Sequence, residues 1–118
     1  MNQIIAIPVN NGVLSQHFGH CEIFYFVSIE GASVVKEWYV TPPVHEPGLY
    51  PAWVKEQGAE IVIAGGMGKK ACELFQENGI IIHTGAESQI PQVVVKTFLD
   101  NTIRYSKNVC ENHIHTCE

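Results

Sequence analysis

The hydrophobic pattern divides this chain into alternating strand and helix signals. Ile4 to Val9, IIAIPV, is an almost unbroken apolar run rich in β-branched residues, as expected of a strand covered on both faces. Asn10 to Gly12 interrupt it with turn residues. The stretch LSQHFGHCEIF, Leu14 to Phe24, is therefore expected to begin as a loop at the carboxyl end of that strand. Ile23 to Ile29 and Val34 to Val40 form two further apolar-rich runs joined by EGAS, which is a β-hairpin signal. Thr41 to Gly48, TPPVHEPG, is rich in proline and should be a stiff, extended connection.

The second half changes period. A short helix is expected from Leu49 to Gln57, with Pro51 tolerated in its first turn and Gly58 placed as a stop. Ile61 to Gly66, IVIAGG, is another buried strand. GMGKKACELFQENG supplies a helix ending at Gly79, and Ile80 to His83 a short strand. Ser88 is expected to cap a last helix running to about Asp100. The order is a hairpin followed by βαβ alternation, so right-handed crossovers place helices on both faces of one sheet. The fold class is α/β: a three-layer α/β/α domain around a five-stranded mixed sheet with one antiparallel strand.

In such sheets ligands settle beyond the carboxyl ends of parallel strands, where the chain departs in opposite directions. Three loops then matter: the one after the first strand, the Pro-rich one, and GGMG. Together they hold His17, His20, Cys21, His45, Gly65, Gly66, Met67 and Gly68.

Composition narrows the function. The 118 residues suit one domain, taken as 1–104, followed by a Cys/His-rich tail, 105–118, placed where chain ends are often disordered. Seven Lys plus Arg against twelve Asp plus Glu give a net charge of -5, so no basic field exists to hold a phosphate backbone, and nucleic acid is not an expected partner. No apolar run approaches the ~20 residues that cross a bilayer, and MNQIIAIPV lacks the charged start of a secretory signal. The expected location is the cytoplasm, without a membrane partner. The acidic residues, among them Glu56, Glu60 and Glu77, fall at expected surface positions, and Asp100 is the only aspartate in the chain. Neither a Ser-His-Asp arrangement nor paired carboxylates emerge, so no catalytic residue is assigned and the expectation is a protein that is not an enzyme.

The remaining chemistry belongs to soft ligands. His17, His20 and Cys21 could meet at one point if their loop folds back, and imidazole and thiolate suit zinc, copper and iron. Their H-x-x-H-C spacing is not a recurring one, and a plainer reading has Phe18 anchoring the loop with Cys21 buried. GGMG could present helix N-terminal N-H groups to an anion, or its glycines could serve only a tight turn and close packing. It matches neither nucleotide-binding glycine motif. Prolines hold His45 in an extended segment near the same sheet edge, although such a segment is also an ordinary connector. Cys72 is read as packing, and Lys69 and Lys70 as solvated or screening an anion. The tail CENHIHTC places Cys110, His113, His115 and Cys117 close together, four donors that fit a tetrahedral ion such as zinc, copper or nickel, or else a disulfide or free thiols.

Four separated segments, LSQHFGHCEIF, PPVHEPGLYPAWV, GAEIVIAGGMGKKACELF and GI followed by TGA, closely resemble in that order the dinitrogenase iron-molybdenum cofactor biosynthesis family, which includes NifX-like proteins and the C-terminal domain of NifB. The resemblance spans about Ile4 to Phe98. It implies a ribonuclease H-like fold without nuclease activity, and storage, delivery or assembly of an iron-sulfur or molybdenum-iron-sulfur cluster. The implied partners are a cluster-assembly protein or a recipient metalloprotein, with the carrier a monomer or weak homo-oligomer. Carried over by position, His17, His20, Cys21, His45 and Gly65 to Gly68 become the candidate cluster-binding set. The tail lies outside the resemblance and keeps its alternative reading as a single-metal module.

Overall fold

The computed structural model describes residues 2–16, 21–43 and 49–105. His17, His20 and His45, and the tail residues Cys110, His113, His115 and Cys117, lie outside the described residues. The elements are β1 (Gln3–Asn10), β2 (Val13–Leu14), β3 (Ile23–Glu30), β4 (Ser33–Val40), α1 (Leu49–Glu56), β5 (Ile61–Ile63), α2 (Lys69–Glu77), β6 (Ile81–His83) and α3 (Pro91–Leu99). The sheet runs β4-β3-β1-β5-β6, with β2 paired beside β1. Pairing is antiparallel from β1 to β3 and from β3 to β4, and parallel from β1 to β5 and from β5 to β6. This is the mixed ribonuclease H-like order, with β3 running against the other long strands.

The unbroken apolar runs are explained by burial on two faces. On one face Ala6, Phe24, Phe26, Val62 and Ile82 meet Tyr50 and Val54 of α1 and Cys72 and Phe75 of α2. On the other, Ile5, Ile7, Tyr25, Val27, Ile61 and Ile63 meet Val94 and Val95 of α3. β4 is different. It is mostly exposed at the sheet edge, with Lys36 over the ring of Trp38 and Trp38 stacked on Phe26 at 5.8 Å. A charged residue on such an edge discourages pairing with another chain. Tyr25 Oη donates to Glu37 at 2.8 Å, and Gln92 Nε2 donates to the same carboxylate at 3.2 Å, which ties α3 to this outer strand.

Three local expectations change. The strand after Glu60 stops at Ile63, because Gly65 and Gly66 direct their N-H groups to Ser15 and Gln16 instead of continuing the ladder. The residues after Gly12 do not start a loop at once: Val13 and Leu14 first return along β1 as β2. Ser88 does not cap the last helix. Its hydroxyl donates to the Leu14 carbonyl at 2.6 Å, and the helix begins at Pro91, whose missing N-H costs nothing in a first turn, with Ile90 as N-cap.

Candidate functional site

Pro8 sets the geometry of the site. It has no N-H to give, and the parallel ladder from β1 to β5 pairs Ile5 with Ile61 and Ala6 with Val62, ending before it. Beyond that point β2 occupies the vacated edge, pairing Leu14 with Val9. The residues that follow are wedged between the carboxyl ends of β1 and β5. Ser15 N donates to Pro8 O at 2.8 Å on one side, while its carbonyl accepts from Gly65 N at 3.3 Å on the other. Gln16 O accepts from Gly66 N at 2.9 Å. This wedge stands where two adjacent parallel strands lead the chain to opposite sides, which is where sheets of this kind bind ligands.

The same bonds assign Gly65 its role. A Cβ on Gly65 would lie 2.9 Å from Ser15 O and 3.0 Å from Gln16 Cα, so the glycine is required by close backbone approach. Its N-H and that of Gly66 are already committed and are not donors for a bound anion. Gly68 differs, because a Cβ there would meet nothing within 4 Å. It is the N-cap of α2 and leaves that helix without a side-chain cap. The first helical bond runs from Cys72 N to Gly68 O, so the N-H groups of Lys69, Lys70 and Ala71 have no acceptor within the helix. The half of GGMG able to attract an anion is its second half, with exposed Lys69 and Lys70 alongside. Met67 is 1% exposed and belongs to the core.

Glu22 and Ser15 both bond to the end of β1. Glu22 N donates to Val9 O at 3.0 Å and to Asn10 Oδ1 at 2.6 Å, and Asn10 Nδ2 donates to Ser15 Oγ at 3.1 Å. Ser15 and Glu22, on either side of the His17 to Cys21 stretch, are thereby pinned to the end of β1. Cys21, a half-buried free thiol, packs against the core cluster that contains Phe24, Tyr50 and Met67. Tyr50 Oη donates to Pro43 O at 3.3 Å, at the start of the Pro-rich segment that carries His45. Burial first, and then the neighbouring Cys21 sulfur, raise the Tyr50 hydroxyl above its usual range. The described flanks of all three loops thus converge: Gln16 touches the glycine turn, and Tyr50 stands between Cys21 and the Pro-rich segment. Gln16, Tyr50 and Pro43 drew no attention as site residues from the sequence, since neutral polar and aromatic side chains carry no ligand signature. Among the described residues, no group of three His, Cys, Asp or Glu side chains could hold a metal ion.

Burial pushes the Cys21 thiol up to about 12, with its own backbone N-H pulling partly the other way. In the unfolded chain it ionises near 9.0. Between these values the unfolded state has lost a proton that the folded state keeps, so this group makes stability fall as pH rises from about 9 towards 12. Alkylation by iodoacetamide at pH 9, read by peptide mass spectrometry, should proceed at Cys21 at least a hundredfold more slowly in folded than in urea-unfolded protein, since about one thiol in a thousand is ionised. Equal rates would mean that the sulfur is solvated.

These features define a class of protein, a small three-layer α/β/α domain in which the described loop flanks meet at the switch point of its sheet. The chain belongs to the dinitrogenase iron-molybdenum cofactor family, whose sequence pattern matches residues 1–101. An uncharacterized protein of Methanocaldococcus jannaschii, MJ0580, is 29% identical over 104 residues, covering 84% of this chain and 87% of its own. The crystal structure of PH0822 is similar with a TM-score of 0.84 and 33% identity, over 90% of this chain and 96% of the other. The apo form of the orange protein from Desulfovibrio gigas shares the fold, with a TM-score of 0.67, 24% identity and coverage of 90% and 94%. Among the described residues, no helix is long and apolar enough to cross a membrane.

Proposed function

We propose that this protein is a non-enzymatic carrier that binds an iron-sulfur or iron-molybdenum type cluster and passes it to a cluster-assembly or recipient metalloprotein. The observation that carries the reading is the convergence of three loop flanks, at Gln16, Cys21 with Tyr50, and Gly66 to Gly68, beside an uncapped helix start. A cluster of this type is large, soft and commonly anionic. It suits a site with few ligands and a helix N-terminus better than a closed tetrahedral cage, because a carrier must also release it. Family membership supports the same reading.

In this reading Cys21, His17, His20 and His45 supply soft ligands, and the N-H groups at the start of α2 with Lys69 and Lys70 attract negative charge. Met67 and Gly65 hold the pocket in shape. Cys21 must lose its proton to bind a soft metal, so loading releases acid and tightens as pH rises.

Anaerobic reconstitution with iron and sulfide, with and without molybdate, tests the proposal through visible absorption and metal content. Wild type is expected to take up a cluster in stoichiometric amount, and the His17→Ala/His20→Ala/Cys21→Ser variant to lose at least four-fifths of it. Equally low incorporation by both proteins would sink the carrier reading.

A further inference from the structure

The two faces of the sheet are covered unequally. α1 and α2 pack on one face, and among the described residues α3 is the only helix on the other. A helix roughly 10 Å across cannot span five strands set nearly 5 Å apart. A groove of about 360 Å³ therefore remains between α3 and the β3–β4 hairpin, within the range of small-molecule sites, roughly 300–1,000 Å³. It runs from Glu37 and Gln92 to Ala32, in the turn of the hairpin, and Asp100, just past α3. Gln3 at the start of β1 pairs with Ile29 near the end of β3, so the hairpin end of the groove lies at the opposite end of the sheet from the switch point. What binds there is independent of the carrier reading.

The polar end of this groove has acceptors in excess. Tyr25 Oη and Gln92 Nε2 both donate to Glu37 Oε1, at 2.8 and 3.2 Å, and Gln92 Nε2 also donates to Tyr39 Oη at 3.1 Å. Glu37 Oε2 and Gln92 Oε1 accept from none of the described residues. Burial first, and then the bond to Glu37, raise the Tyr25 hydroxyl above its usual range, so at neutral pH it stays protonated and fixes the carboxylate. The cations nearest in sequence are engaged elsewhere: Lys36 lies over Trp38 on the other face at 5.4 Å, and Lys96 pairs with Asp100 at 3.5 Å. Beyond the carboxylate the lining turns apolar, with Val34, Val95 and Leu99.

We propose that this groove binds a small organic cation: a primary ammonium that donates to Glu37 Oε2 and Gln92 Oε1, carried on a short alkyl body that covers Val34, Val95 and Leu99. An ammonium has donors and no acceptor, which matches a site end with spare acceptors whose own donors are spent. The net charge of -5 favours the approach of a cation. Glu37 is exposed, so water competes for its charge and the expected dissociation constant is in the millimolar range.

Hexylammonium chloride, titrated at neutral pH into the full nitrogen-15-labelled chain, is the probe, and amide NMR is the readout. The side-chain amide of Gln92 and the backbone amides of Val34, Glu37 and Lys96 should shift together and saturate as one site. Hexanol, which has the same body without the charge, should bind about fivefold more weakly, and so should hexylammonium to Glu37→Gln, which keeps an acceptor for Tyr25. Val34→Ala should weaken hexylammonium about twofold, through the alkyl contact alone. The absence of a saturable shift, equal binding of hexanol, or wild-type affinity in Glu37→Gln would each overturn the proposal. Tighter binding of acetyl-lysine-methylamide than of hexylammonium would also overturn it, by assigning the groove to a lysine of a partner protein.

Discussion

Replacing Phe24 by alanine is expected to cost roughly 3–5 kcal/mol of stability, the range for emptying a buried aromatic site. Phe24 is fully buried, and its ring lies 5.4 Å from Trp53, 5.8 Å from Tyr50 and 6.1 Å from Phe26. It stands at the start of β3, where the strand emerges from the Cys21 loop, so the loss is felt at the site as well as in the core. For a domain of this size each kcal/mol is worth about 4 °C or more, and thermal unfolding followed by circular dichroism should fall by on the order of 15 °C. Val34→Ala on the exposed edge strand, where the valine is 49% exposed, is the control and should change stability by less than about 0.5 kcal/mol. A Phe24→Ala midpoint within about 3 °C of wild type would show that the aromatic cluster does not hold α1 to the sheet.

Gly65→Ala is the second large effect, and Gly68→Ala is its internal comparison. A methyl group at Gly65 would sit 2.9 Å from the backbone oxygen of Ser15, a residue held through its N-H to Pro8 and through that oxygen to Gly65 itself, so the clash cannot be relieved by turning a flexible side chain. The Ser15–Gln16 wedge must move, at a cost of about 1–3 kcal/mol, and its movement breaks the bonds that seat the Cys21 loop. Gly68 has open space around it and extended backbone at φ -69° and ψ 160°, so alanine there should change stability by no more than about 1 kcal/mol. Urea unfolding of the two variants measures the difference. Equal midpoints would reject close packing against Ser15 as the reason for the glycine.

The layer structure was largely readable from residue pattern. IIAIPV and IVI announced strands covered on both faces because each residue is apolar whichever way its side chain points, and in the folded protein these strands are covered by α1 and α2 on one face and by α3 on the other. Elements set by several competing hydrogen bonds were less legible. Ser88 has the residue type of an N-cap, but a carbonyl from β2, 74 positions away, takes its hydroxyl, and Pro91 starts the helix instead. GGMG reads as four alike positions, yet Gly65 and Gly66 spend their N-H groups on the Ser15–Gln16 wedge while Gly68 leaves the helix start open. Nothing local distinguishes them, because the distinction depends on which strand end lies alongside.

By itself the sequence determined the alternation of buried strands and amphipathic helices, the sheet edge at which the loops gather, and the resemblance that family membership upholds. Those properties follow from side-chain hydrophobicity and spacing, which each segment carries wherever it folds. Tertiary structure alone decided that Pro8 ends a parallel ladder and admits β2 beside β1, that Tyr50 joins Cys21 to the Pro-rich segment, and that Tyr105 is clasped by His83 beside the glycine turn. The physical reason is common to all three. Backbone donors and ring faces are present in every segment, and they acquire a specific partner only when distant parts of the chain are brought within bonding distance.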